Sequence, residues 1–498
     1  MNINSRRPLF HRRQQSNIYR MFLWVVMILG GVWMLQQINR GEIEPLFQAT
    51  PIPTRAVQSF LEEGDAYFTA GNLTGAILAY QEALRLNSND AQTWAKLARI
   101  QTYSSAFLIT NDEKKARLRE ALESATKAVE LAPEDSTTHA IRAFVLDWNA
   151  NSNFRTAEEV QDFLVQAENE ALIAQQLDNT NTLALAYYAE ILLDQGRWPQ
   201  AESIIQQALE RPDANQWMDV YRVNAYLLET LGQYNLAISE YEKAIAIEPN
   251  FTFLYIRIGA NYRVLASDVA FAQGEVAARS VYEQSLEYFD RAVRINEQLG
   301  IRDPGPHLSI ARTYSQLGEF FIAAENVKTA LEYEPTNADI YGQLGVIYFR
   351  SRNYEGSIFS LECAIYGCSG EASCHGRGLE RCFPEFNENP VTVQGLDISP
   401  NTIIYYYIYG SVLAALSRPS ENRCPEAMQT MQEVRNELDA NPDGYTDGRD
   451  IILGIVQAGE EICASLELGT PLPDNLVPTQ VGTEVSDEMS DIEETPAP

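Results

Sequence analysis

One arrangement of side chains recurs along most of this chain: a small residue, an apolar residue four positions on, and an alanine (or its neighbour in size) three after that. It reads Ala76/Tyr80/Ala83, Ala121/Ala125/Ala128, Ala167/Ala171/Ala174, Ala201/Ile205/Ala208, Ala237/Tyr241/Ala244, Ser285/Phe289/Ala292, Ala323/Val327/Ala330 and Ser357/Leu361/Ala364. Steps of four and three return to one face of a helix, so each triad predicts a helix that buries a narrow stripe. The closing alanines stand 45, 46, 34, 36, 48, 38 and 34 residues apart. That period suits a pair of helices, and pairs repeated at such spacing predict a solenoid. Three units carry extra residues around Ser104 to Arg119, Asn149 to Gln161 and Ala266 to Val281, which are expected to lengthen helices or bulge from one face.

The first forty residues follow another pattern. Met21 to Leu35 holds fifteen uncharged residues, extendable to residue 38, close to the length that spans a bilayer. Trp24 and Trp33 sit near its ends, where amphipathic rings favour the interface. No small-x-small cleavage pattern follows. These features predict an uncleaved anchor. Arg6, Arg7, Arg12, Arg13 and Arg20 precede it and only Arg40 closely follows, so the positive-inside bias places the N-terminus in the cytoplasm and the body outside.

Within the best units the pattern extends beyond the triad. Tyr221, Asn224, Ala225 and Leu228 lead to the turn Leu231-Gly232-Gln233-Tyr234, then Ala237, Tyr241, Ala244 and Pro249. Ile310, Ala311 and Tyr314 lead likewise to Leu317-Gly318-Glu319-Phe320, Ala323, Ala330 and Pro335, and a further unit opens with Tyr341, Leu344, Gly345 and Tyr348. In these residues the chain resembles the tetratricopeptide repeat family over about residues 57–467. The resemblance implies an all-α fold: a solenoid of about nine helix pairs plus a C-terminal capping helix, behind one N-terminal transmembrane helix. The expected layout is a basic cytoplasmic segment 1–20, a transmembrane helix 21–38, a linker 39–56, a superhelix 57–467 with a Cys-bearing insertion 366–400, and a disordered acidic tail 468–498. Ile403 to Ser417 and Pro425 to Asn441 form the ninth, degenerate pair, and Asp447 to Leu466 the cap.

The resemblance also implies a concave groove lined by the first helices, open to an extended peptide or a helix. Helical spacing points Arg222, Tyr226, Tyr255, Arg263, His307, Arg312, Tyr341 and Arg350 into it. Four arginines on one inner surface favour an acidic protein segment, unless acids such as Glu229 already satisfy them. Net charge narrows the partners further. The chain carries −31, and the five N-terminal arginines leave −36 for the remainder, which repels phosphate backbones and argues against nucleic acid.

Candidate chemistry is sparse. Cys363, Cys368, Cys374, Cys382, Cys424 and Cys463 are the six cysteines, an even number in an extracytoplasmic body, so disulfides are expected. Two bridges are expected among Cys363 to Cys382, and one from Cys424 to Cys463 joining the ninth pair to the cap. A zinc site on Cys368, Cys374, His375 and Cys382 is the sharper alternative, but it lacks a CxxC pair. A haem attachment is excluded, because CxxCH is absent. No Gly-rich phosphate loop, GxSxG elbow or HExxH occurs, and His139 and His307 fall in first helices as packing or groove residues. The expectation is a non-enzymatic scaffold with no cofactor, metal or small-molecule substrate, held at the bilayer and binding a protein in its groove. The alternative is the substrate-recognition subunit of a membrane-associated enzyme or secretion complex.

Overall fold

A computed structural model of the chain describes residues 17–40, 55–108, 110–150, 155–384, 388–445 and 448–469. The basic segment before residue 17, linker residues 41–54 and the acidic tail beyond 469 lie outside the described residues. Two separate units are present, divided at Ala56/Val57.

The first unit holds helix α1, Ile18–Asn39. Its 22 residues reach ~33 Å at ~1.5 Å per residue, enough for a hydrocarbon core of ~30 Å. None of the stretch from Ile18 to Gln37 is buried in the protein.

The second unit is built from helix pairs, each triad supplying the second helix. In order they are α2 (Val57–Thr69) with α3 (Leu73–Leu86), α4 (Ala91–Ser105) with α5 (Asn111–Leu131), α6 (Ser136–Asn149) with α7 (Ala157–Leu177), and α8 (Thr182–Asp194) with α9 (Trp198–Leu209). There follow α10 (Met218–Thr230) with α11 (Tyr234–Ile247), α12 (Thr252–Gln273) with α13 (Glu275–Leu299), α14 (Gly305–Gln316) with α15 (Phe320–Tyr333), and α16 (Ala338–Arg350) with α17 (Tyr354–Ile365). A short α18 (Glu371–Gly376) lies in the insertion, and α19 (Ile403–Leu416) with α20 (Cys424–Ala440) makes the ninth pair before the capping helix α21 (Arg449–Leu468). The extra residues lengthen helices: α5 and α7 have 21 residues, α12 has 22 and α13 has 25.

All the triad residues are buried, and the reason for their sizes is visible in the first helices. Gly64 lies under Tyr80, Gly259 under Phe289 and Gly345 under Leu361, so closely that a Cβ would stand 2.8, 2.5 and 2.5 Å from those side chains. Small residues on one helix admit the bulky residue of its mate, which is how each pair closes.

The short turn inside five of the pairs uses a residue with positive φ. Gly71, Gly196, Gly232 and Gly318 supply it with φ of 71 to 77°, but the α16–α17 turn uses Arg352 at φ 63°. A side chain there crowds the following carbonyl. Replacing the exposed Arg352 with glycine is expected to raise stability by ~0.5–1 kcal/mol, the relieved strain exceeding the added entropy of the unfolded chain. A higher urea midpoint at unchanged slope is the measurement.

Curvature is tight enough that the array meets itself. Asn250 Nδ2 donates to the Thr69 carbonyl at 3.2 Å, and Phe68 meets Phe251 edge to face at 5.1 Å. The α2–α3 turn therefore touches the α11–α12 turn, and the first five pairs close into a ring. One hydrophobic core runs from Leu73 to Ile258 and a second from Ala311 to Cys463.

Candidate functional site: the inner face of the solenoid

The centre of the ring is lined by α4, α6, α8 and α10, with the start of α12. Arg99 on α4 reaches Asp219 on α10 with Nη2 to Oδ2 at 2.5 Å and donates from Nε to the Tyr187 hydroxyl at 3.0 Å. Tyr103 and Tyr187 both donate their hydroxyls to Asp219 Oδ1. Burial would push the Asp219 carboxyl up, but Arg99, Arg222 and the two hydroxyls outweigh it and hold the group below the usual range. One layer on, Arg222 forms a fork to Glu190, Nη1 to Oε1 and Nη2 to Oε2 at 2.6 Å each. Its guanidinium lies 5.7 Å from the Tyr103 and Phe144 rings and 5.9 Å from Trp148, an arrangement favourable to a cation. The rings of Phe251 and Phe253 each lie 5.8 Å from Tyr103 and 5.7 Å from one another.

Beside this lies an acidic cluster. Asp147 on α6, 1% exposed, has no hydrogen-bond donor on either carboxylate oxygen. Glu190 and Asp194 stand one turn apart on α8, and Tyr226 donates to Asp194 at 2.9 Å. Burial, then the charges of Asp194 and Glu190, push Asp147 well up against the pull of Arg222. Asp194, at the partly exposed rim, is pushed up to about 7 by burial and Glu190. Further along, Arg257 pairs with Glu229 at 2.8 Å, and Tyr241 donates to Glu229 at 3.0 Å.

Stacked pairs of this geometry, closed by a glycine turn and packed small against bulky, coincide with repeat units recognised in the sequence. The family described as TPR repeat matches residues 64–101, and those described as tetratricopeptide repeat match 225–251 and 308–370. The chain is a tetratricopeptide-repeat protein. No curated protein sequence matches it. Among solved structures it is similar to TTC0263, a thermophilic TPR protein of Thermus thermophilus, at 20% identity over 41% of this chain and 98% of that one, TM-score 0.34. It is similar also to a human IFIT1 dimer with m7Gppp-AAAA, at 18% identity over 87% and 91%, TM-score 0.43. A tetratricopeptide repeat protein from Parabacteroides merdae is 17% identical over 58% and 97%, TM-score 0.30.

The inner face of this tetratricopeptide-repeat protein corrects several expected groove residues. Arg222 is 5% exposed and engaged by Glu190, because ring closure draws its layer into the core. Tyr341 is fully buried, donating to the Pro335 carbonyl at 2.8 Å, and Tyr255 is 8% exposed, donating to the Pro249 carbonyl at 2.8 Å. Each of these tyrosines ties its first helix to the proline that ends the helix before it. Tyr226 is partly exposed but engaged by Asp194. In the second half, Arg263 donates to the Ser309 carbonyl at 3.5 Å, Arg350 to the Ser315 hydroxyl at 3.1 Å, and His307 Nδ1 lies 3.2 Å from Asn326 Oδ1. Arg312 faces Tyr405, where its charge moderates a hydroxyl raised by burial. These four are partly exposed. His139 is a packing residue, with Nδ1 at 2.6 Å from Glu170 and Nε2 at 3.0 Å from the Pro133 carbonyl.

The cysteines pair as Cys363–Cys368, Cys374–Cys382 and Cys424–Cys463. With Cys368, Cys374 and Cys382 in disulfides, the zinc alternative loses its thiolates. The buried acids Asp147 and Asp219 and the rim acid Asp194 had no signal in the sequence beyond their place on first helices, since helical spacing does not distinguish a solvated acid from one facing the next repeat.

Proposed function

We propose that this chain is a non-catalytic scaffold, anchored by α1 with its N-terminus in the cytoplasm, whose repeat body binds a protein segment outside the membrane. The reading is carried by the second half of the inner face. There Leu308 and Arg312 on α14, and Gln343, Val346 and Arg350 on α16, form partly exposed stripes at helical spacing, whereas the first half is filled by its own rings and ion pairs. An apolar pair flanked by guanidinium groups suits an extended or helical segment bearing carboxylates. Arg263 and His307 continue the stripe toward α12. The disulfides favour an oxidising compartment, in line with the topology from the N-terminal arginines. Nucleic acid and small-molecule substrates form no part of this reading.

The test is co-purification of the full chain in detergent from its own membranes. A discrete protein at fixed ratio is expected, and R263E, R312E and R350E together are expected to lower its recovery at least ~10-fold. A catalytic subunit as the constant companion favours the substrate-recognition alternative. Recovery undiminished by the triple reversal rules out this face as the binding surface.

A further inference from the structure

The ring contains carboxyl groups that its ion pairs do not use. Both oxygens of Asp147 and Oε2 of Glu248 lack a hydrogen-bond donor. A fully buried carboxylate such as Asp147, without donors or a counterion of its own, is strongly disfavoured and takes up a proton instead, and the partly buried Glu248 is pushed the same way. Glu248 closes α11, two residues before the Asn250 that binds the Thr69 carbonyl, so it stands in the seam of the ring. Asp147 on α6 lies within electrostatic range of Asp194 and Glu190 on α8, in the same half.

We propose that the first five helix pairs are a proton-operated clamp: protons held by the Asp147–Asp194 pair and by Glu248 keep the ring shut, and their loss opens its inner face.

The surrounding charges fix the direction. Asp147 faces Glu190 and Asp194 on α8 and Arg222 on α10. Arg222 is already forked onto Glu190, so one cation serves three acids. Tyr226 on α10 donates to Asp194. On α4, Arg99 is held by Asp219; on α7, Glu170 is held by His139 and Arg142, and Glu168 by Arg197. Glu248 faces Arg99 and Asp219, while Arg257 on α12 is held by Glu229. Burial pushes Glu248 up to about 6, against Arg99, and Asp194 sits at about 7. A carboxyl raised by folding binds its proton more tightly in the closed state. Its contribution is complete below the ordinary carboxylate range and is lost as pH rises through about 6 to about 7. Closure therefore weakens toward alkaline pH. This inference concerns the first half alone and does not rest on the partner-binding reading.

The test places nitroxides on L78C of α3 and L236C of α11, both on exposed sites, in the full chain in detergent, since all the native cysteines are paired. Electron–electron double resonance at about pH 5.5 should give one closed distance, and at about pH 8.5 a longer or broader distribution with the open fraction raised at least ~10-fold. In D147N/D194N/E248Q the closed distance should persist at both. Should that variant misfold, D194N alone must narrow the pH response. Identical distributions at the two pH values in the wild type overturn the proposal, as does an unaltered response in D194N or in the triple variant.

Discussion

Arg222→Met is expected to cost the first half of the array ~3–5 kcal/mol, the largest effect of any single substitution on the inner face. The size follows from what is left behind. Glu190 is fully buried, and among the described residues only the Trp148 indole reaches it besides Arg222, at 3.3 Å. Removing the guanidinium strands a charge in the core and also removes the cation that moderates Asp147. The pair itself contributes far less than its breakage costs, because forming it required taking two ions out of water. The double variant R222M/E190L, which replaces both by apolar groups of similar bulk, is thus expected to recover most of the loss. Denaturant unfolding followed by Trp fluorescence measures the three stabilities. Equal losses in the single and double variants would show that packing against Tyr103, Phe144 and Trp148, rather than charge, is what Arg222 supplies.

The same residue marks how far the sequence could be read. Triad spacing identified the second helix of eight pairs, and each triad is buried because a four-plus-three step is a property of one helix and its nearest neighbour. Arg222 is expected on a first helix and lies on α10, buried against Glu190. Its destination was not legible, because curvature accumulates from a small rotation at every repeat, and no local pattern records the sum. Arg99 and Asp219 lie 120 residues apart, Asn250 and Thr69 farther still, and their meeting depends on every intervening pair. Gly232 and Gly318 were legible as turn glycines, whereas Gly71 and Gly196 emerge only with the fold, and Arg352 stands where the repeat pattern leads one to expect another. Cys424 and Cys463 were legible as a bridge, since Cys424 directly precedes one expected helix, Pro425 to Asn441, and Cys463 lies on the capping helix expected after it.

Removing the Cys424–Cys463 bridge is the other change with a large expected effect. It closes the longest loop of the three, with a sequence separation of 39 against 5 and 8, and by chain entropy C424S/C463S should lose ~4 kcal/mol where the Cys363–Cys368 bridge would lose ~2. The loss should be local. The bridge fastens α21 across α20, where Ile452 and Val456 are buried, Gly459 lies against Met431, and Arg435 forks onto Glu460 at 2.8 and 2.6 Å. Those contacts keep α21 docked in part, but without the bridge the cap is the first element to open, exposing the apolar helix α19 beneath it. Hydrogen exchange should show α19 and α21 losing protection together while α4 to α10 are unchanged, and a reductant should reproduce the pattern in the wild type. Protection of α21 untouched by reduction would mean that the side chains alone hold the cap, and that the disulfide serves some purpose other than stability.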